Sequence, residues 1–247
     1  MTDPNRDSLA ERAAGLMRRW PPRHPDRIQL YSQPSPNGVK VSIILEECSL
    51  PYDAHRIEFG ERGTRSADYL AANPNGKIPL ILDPAGPTGE PVLLSESNAI
   101  LVYLADKTGR FLATAGAARY QTLQWLFWQA SALGPAFGQI GYYHRFAGRE
   151  IADKRPLEAN VVEARRVLGV LNARVERGPW IMGDDFTIAD IASLGWVRNL
   201  IGFYDAGDLV GFRDFDSVAA WLERGLGRAA VIKGLAQPPA AAPSTSS

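Results

Sequence analysis

Three short stretches of this sequence place polar groups at predicted helix starts or in a turn, where their types could do chemistry. Ser95-Glu96-Ser97 opens a predicted helix, so Ser97 sits where backbone N–H groups and the helix dipole favour a carboxylate. The same position suits a plain N-cap. Ser35-Pro36-Asn37-Gly38 has the form of another helix start: Ser35 is a good N-cap and Pro36 suits the first helical position. Asn37 then falls in the first turn, where its side-chain N–H groups can donate to an anion. Ile78 precedes Pro79; a cis bond there would turn the N–H and C=O of Ile78 toward an extended peptide, although an isolated Ile-Pro bond is usually trans. Lys77 could reach a substrate carboxylate or be a solvated lysine. Tyr142-Tyr143-His144-Arg145-Phe146 is an aromatic and basic stretch that could line a pocket or pack into the core. The single cysteine, Cys48, allows no internal disulfide, no Cys-x-x-Cys pair and no cysteine-rich zinc site. It lies on the apolar face of its helix and reads as a core residue. His24, His55 and His144 are far apart in sequence, so no metal site is expected.

These residues need elements to position them. Ile28–Ser32 reads as a strand. The helix that follows carries Val41, Ile44, Leu45 and Cys48 on one face and stops at Leu50-Pro51. Residues 52–59 alternate as a second strand, and a short helix is expected near Ser66–Ala72. Asn73-Pro74-Asn75-Gly76-Lys77-Ile78-Pro79 is dense in turn residues. Leu80–Leu82 and Val92–Leu94 flank a turn-rich segment as a hairpin, and a helix through Ile100, Leu101 and Leu104 ends at Gly109. The order β-α-β, hairpin, helix is that of a thioredoxin-like domain. The remainder reads as helical. Gly134-Pro135 is expected to kink or break a helix holding Trp125, Phe127 and Trp128, a cluster assigned to core or dimer packing. Pro156 starts another helix, Thr187-x-x-Asp190 is a capping box, and Val218–Leu226 is the last helix. Ahead of the first strand, Ser8 and Glu11 have capping-box spacing, and Leu9, Ala13, Leu16, Met17 and Trp20 share a face that suits docking on the body.

The expected organisation is an N-terminal extension at 1–27, an α/β thioredoxin-like domain at 28–112, an all-α domain at 116–236 and a disordered tail at 237–247. Lys plus Arg and Asp plus Glu both number 27 in 247 residues, which argues against broad binding of nucleic acid or anionic membranes. No apolar run approaches about 18 residues and residues 1–27 hold no signal-peptide core, so a cytoplasmic protein is expected.

The three motifs, in this order, resemble those of the cytosolic glutathione S-transferases. Asn73–Pro79 is similar to the segment that holds the family's cis-proline, here Pro79. Ser95–Ile100 resembles its Glu-Ser glutathione motif, and Phe186–Asp190 its capping box. Tyr31–Lys40 and Leu123–Gln129 resemble most the bacterial Nu class, which includes glutathione-dependent disulfide-bond reductases. The resemblance covers about residues 28–236. It implies the glutathione transferase fold, glutathione, reduced or oxidised, as co-substrate without a metal, and a two-fold homodimer. It assigns the γ-glutamyl carboxylate of glutathione to Ser97, the amino group to the neighbourhood of Glu96, and backbone pairing to Ile78. Asn37 and Ser35 would line the sulfur, with Tyr31 a third candidate better read as packing. Lys77 and Arg145 would meet glutathione carboxylates. Where the class tends to carry an arginine after Pro156, this sequence has Ala159-Asn160, and Arg145, Arg155 or Arg165 could substitute. Thr64-Arg65 stands where the family often has an amide. With Cys48 in the core, the redox sulfur must come from glutathione. The expected activity is reduction of a small disulfide or peroxide, with weak transfer to electrophiles. The alternatives are a conjugating transferase and a non-catalytic glutathione-binding protein.

Overall fold

Ile28–Ser32 forms β1, and all five of its residues are buried. It pairs in parallel with β2 (Tyr52–Arg56), from Ile28 against Tyr52 to Ser32 against Arg56, and antiparallel with β3 (Leu80–Asp83). β4 (Val92–Ser95) pairs antiparallel with β3, giving the sheet order β2-β1-β3-β4. In this computed structural model residues 8–239 are described. The chain divides into two compact units: one runs to Lys107 and is rejoined by the chain from Lys233, and the other is Thr108–Ile232.

Helix α1 (Leu9–Arg19) begins with the expected capping box: Ser8 Oγ accepts from the Glu11 N–H at 3.3 Å, and the Ser8 N–H donates to Glu11 Oε2 at 2.7 Å. Its apolar face docks on one side of the sheet. Ala13 and Leu16 are buried with Tyr31, Ile57, Leu80, Leu82 and Tyr69, and Met17 and Trp20 pack at the margin. The segment after α1 is tied to β2 by Asp53, whose carboxylate accepts from the N–H groups of Arg23 and His24 at 2.7 Å each. α2 (Gly38–Glu47) joins β1 to β2, α3 (Ala67–Ala72) precedes the turn-rich segment, and α4 (Ser97–Thr108) follows β4. β2 ends at Arg56, short of the predicted Phe59. Ile57 still donates to the Ser32 carbonyl and is buried, whereas Phe59 is exposed.

The second unit is helical. α5 (Gly116–Trp128) runs into α6 (Gly134–Ile140) through a wide π-helical turn at Gln129–Leu133, and a second such turn spans Gly141–Arg145. Of the expected kink or break at Gly134-Pro135, the structure shows a local widening of the helix and no break. Proline lacks an N–H and clashes with the carbonyl four residues back; a widened turn followed by Pro135 in the first turn of α6 accommodates both. Of the cluster assigned to core or dimer packing, Phe127 is exposed and so not core, while Trp125 and Trp128 are half-buried with ring centroids 5.0 Å apart. α7 (Arg155–Val175), α8 (Ile188–Ile201) and α9 (Asp216–Leu226) follow, then α10 (Ala229–Leu235). Of the tail expected at 237–247, residues 240–247 lie outside the described residues, as do residues 1–7 of the extension.

Asp190 organises this unit. Fully buried, it accepts from the N–H groups of Ile181 (2.9 Å) and Thr187 (3.0 Å) and from Trp221 Nε1 (2.9 Å). Burial lifts its carboxyl to about 6, against the pull of these donors. Asp190→Ala would strand them without an acceptor. It should lower stability by about 3 kcal/mol, read as a reduced urea midpoint.

Candidate functional site

The loop between β1 and α2 is set by a glycine. A Cβ on Gly38 would fall 1.9 Å from the Gln33 carbonyl oxygen and 2.5 Å from Ser32 Oγ, so the chain folds this tightly over the strand end only with glycine there. The Gly38 N–H donates to Ser35 Oγ at 3.2 Å and the Val39 N–H to the Ser35 carbonyl at 3.0 Å. α2 thus starts two residues later than Ser35-Pro36 suggests, with Asn37 at its N-cap position and the Asn37 side chain making no cap bond. Ser35 acts through its bond to Gly38, the local side-chain-to-backbone turn that serine readily forms.

The second piece is the segment before β3. The Ile78-Pro79 bond is cis. The carbonyl of Lys77 is clamped by Tyr69 Oη at 2.9 Å and Asn73 Nδ2 at 2.7 Å, and Gly76 takes the left-handed conformation at φ +61°. Lys77 is exposed and Ile78 half-buried. Ile78 thus stands in the cleft wall just ahead of β3, an interior strand, and it is the backbone of Ile78 itself that an extended peptide can pair with.

The third piece is the start of α4. Glu96, exposed, has φ +68°, a conformation costly for a residue with a side chain, and its carbonyl accepts the first helical bond from Ile100 at 3.0 Å. Ser97 is buried at the helix start. Beneath it lies Lys40, 1% exposed, whose Nζ donates to Ser97 Oγ at 3.2 Å and Asn98 Oδ1 at 2.9 Å. Burial pushes its ammonium down to about 7, while the Glu96 carboxylate pulls the other way.

These pieces enclose one cleft of about 140 Å³, lined by Asn37, Lys77, Ile78, Pro79, Glu96 and Ser97 together with Asn73 and Asn75. The expected site residues of the first unit therefore meet, except Ser35, which is not in its wall. The cleft offers a helix N-terminus and hydroxyl for a carboxylate, an exposed carboxylate for an amine, a backbone edge for a peptide and an amide for a thiolate. Asn73, Asn75 and Lys40 had no role from sequence. The clue to Lys40 was its spacing: it shares the face of Asn37 and Ile44, where a lysine interrupts an apolar stripe.

Other expectations are placed elsewhere. Tyr31 is fully buried in the cluster under α1, stacked on His55 with ring centroids 4.8 Å apart, and its hydroxyl has no hydrogen-bond partner among the described residues. Burial holds that hydroxyl far above the ordinary phenol range. Cys48 is half-buried at the C-cap of α2 rather than in the core, because the helix's apolar stripe runs out at its last turn. Thr64 is buried and accepts from the Gly60 N–H, a loop contact. In the second unit Arg145 lies over the Phe203 ring, 5.6 Å from its centroid. Arg155 pairs with Asp153, and Arg165 binds Asp214 and the Val210 carbonyl. Among the described residues no group of three or more His, Cys, Asp or Glu could hold a metal, and no helix is long and apolar enough to cross a membrane.

Residues 34–107 match the family model "glutathione S-transferase, N-terminal domain", and residues 154–224 match "glutathione S-transferase, C-terminal domain". The chain is 44% identical over 173 residues to the disulfide-bond oxidoreductase YfcG of Escherichia coli (strain K12), covering 69% of this chain and 79% of that protein. Among solved structures it is similar to a glutathione transferase family member from Pseudomonas fluorescens with two glutathione bound. That match has 54% identity, a TM-score of 0.88 and coverage of 90% of this chain and 97% of the other. It is also similar to a glutathione transferase from Pseudomonas putida with one glutathione disulfide bound per subunit, at 49% identity, a TM-score of 0.89 and coverage of 94% and 100%.

Two substitutions test the local account. Gly38→Ala should destabilise the first unit by about 2 kcal/mol, read by thermal unfolding, through forced overpacking. Tyr31→Phe should stabilise it by about 1 kcal/mol by removing an unpaired buried hydroxyl, with turnover unchanged. A large loss of turnover in Tyr31→Phe would instead put that hydroxyl in the chemistry.

Proposed function

The chain belongs to the glutathione S-transferase family, and from that premise we propose that it reduces disulfide bonds with glutathione. The observation that carries this reading is the single cleft in which Asn37, the cis Ile78-Pro79 segment and the Glu96-Ser97 helix start meet. Similarity to a named disulfide-bond oxidoreductase and to structures holding two glutathiones or glutathione disulfide supports it further.

In this reading Ser97 and the start of α4 take the γ-glutamyl carboxylate, and Glu96 the amino group. Ile78 pairs with the peptide backbone, and Lys77 meets the terminal carboxylate. Asn37 donates to the sulfur and keeps it a thiolate, with Ser35 holding the turn that presents Asn37. The thiolate attacks one sulfur of a small substrate disulfide, forms a mixed disulfide and expels the other sulfur as a thiolate. A second glutathione thiolate attacks the glutathione sulfur of that mixed disulfide and releases the remaining substrate thiolate and glutathione disulfide. Two glutathiones supply the two electrons, and the expelled thiolates take up the protons lost on forming the attacking ones. Cys48, half-buried at a helix end, has no part in the exchange. Arg145 is proposed for a glutathione carboxylate. Peroxides and electrophiles are proposed as secondary acceptors. We assign the protein to the cytoplasm, because the reaction consumes reduced glutathione and the cytosol maintains that pool. We also assign a two-fold homodimer, supported by the exposed Tyr120, Phe127 and Val162 on α5 and α7.

The test is glutathione-dependent reduction of a small model disulfide, beside binding of glutathione disulfide. Asn37→Ala should reduce turnover on the order of 100-fold with binding retained, as expected for loss of a donor to a developing or held anion. Binding without turnover in the unmodified protein would favour the conjugating or binding alternative. Unchanged turnover in Asn37→Ala would remove Asn37 from the sulfur.

A further inference from the structure

Lys40 is a lysine where the fold has no need of one. α2 is buried along nearly its whole length, and an apolar side chain of similar length would fill the position of Lys40 without the cost of burying an ammonium. Its placement under the start of α4 is specific: two of the three Nζ donors go to Ser97 Oγ and Asn98 Oδ1.

An ammonium has only donors. Ser97 Oγ must therefore accept from Lys40, and the hydroxyl's own hydrogen is directed to another acceptor. None of the described residues takes it, and Ser97 lines the cleft. The cleft wall also carries the carboxylate of Glu96, the group that acts on Lys40 electrostatically. A buried cation and an exposed anion thus flank one helix start. That arrangement is complementary to a group bearing adjacent carboxylate and ammonium charges, as the α-carbon of a γ-glutamyl residue does.

We infer that Lys40 is a positioning residue for glutathione: its Nζ fixes Ser97 as a hydrogen-bond donor into the cleft and supplies the positive charge against which the γ-glutamyl carboxylate is held. This rests on the glutathione reading above and deepens it. Asn37 lines the cleft and Lys40 does not, so Lys40 governs affinity and selectivity for the glutamyl end and leaves the exchange step alone.

The experiment compares glutathione with its analogue in which 4-aminobutyrate replaces the γ-glutamyl residue, so that only the α-carboxylate is missing. The unmodified enzyme should favour glutathione in KM on the order of 10- to 100-fold, the range for a charge-assisted contact. Lys40→Met should shrink that preference about tenfold while kcat with saturating glutathione stays near that of the unmodified enzyme. Lys40→Gln, which keeps a donor for Ser97 and loses the charge, should fall between the two and serves in its place if Lys40→Met does not fold. A third measurement needs no variant. In protein with ¹⁵N-labelled lysine, the Lys40 Nζ resonance should shift on adding glutathione and stay still on adding the analogue. Undiminished preference in the variants, an equal loss for both thiols, or an Nζ resonance indifferent to glutathione would each overturn the inference. If the unmodified protein binds neither thiol, the glutathione reading itself fails, and that outcome is distinct from the others.

Discussion

Burial of β1 on both faces is the constraint from which the site follows. Because all five residues of β1 are covered, its neighbours on either side have one register each. Tyr31 stands opposite Leu80, and Leu80 opposite Ser95. The end of β1, the beginning of β3 and the end of β4 therefore lie at one end of the sheet. The loop with Asn37, the segment with Pro79 and the turn with Glu96 leave from these three points. Their meeting in one cleft is a property of strand pairing before it is a property of any side chain. Antiparallel pairing of β3 with both neighbours is what places a strand's start beside two strand ends.

Each piece is then locked locally, by different means. Gly38 permits a close approach, the Lys77 carbonyl is clamped by two donors, and Lys40 ties α2 to the start of α4. The left-handed backbone at Glu96 and the buried charge of Lys40 oppose stability, so the fold maintains them against a cost. In the second unit the buried carboxylate, Asp190, sits among donors that hold its own fold together. Two buried ionisable groups thus serve different ends: Asp190 a capping network, Lys40 a helix start that lines a cleft.

Features decided by residues close in the chain were legible in the sequence. The capping boxes at Ser8 and Thr187 form as their spacing requires. The β-α-β and hairpin order needed only alternation and turn residues, and the cleft motifs Asn73–Pro79 and Ser95–Ile100 were recognisable by resemblance. What escaped was of two kinds, fine backbone geometry at two turns and one contact between groups distant in sequence. Ser35 marks a helix start, yet the first helical residue is Gly38, since the turn closes on the Gln33 carbonyl. Pro135 reads as a kink or a break, yet the one wide turn ahead of it absorbs it. The reach from Lys40 to Ser97 spans 57 positions, and only the folded chain brings them together.

The first unit is not continuous in the chain. Ser42 Oγ donates to the carbonyl of Gly234 at 2.7 Å, and a Cβ on Gly234 would fall 2.7 Å from the Ile43 backbone. α2, the helix that carries Asn37 at its cap position and Lys40 within it, is thus finished by residues made after the whole second unit. During synthesis from the N-terminus, the sheet and its crossover can assemble early, but this side of α2 stays open to water until Gly234 has left the ribosome. Such a late, long-range closure raises the contact order of an otherwise local α/β unit. A nascent chain stalled before Lys233 would expose the backbone of the helix it most needs to hold still.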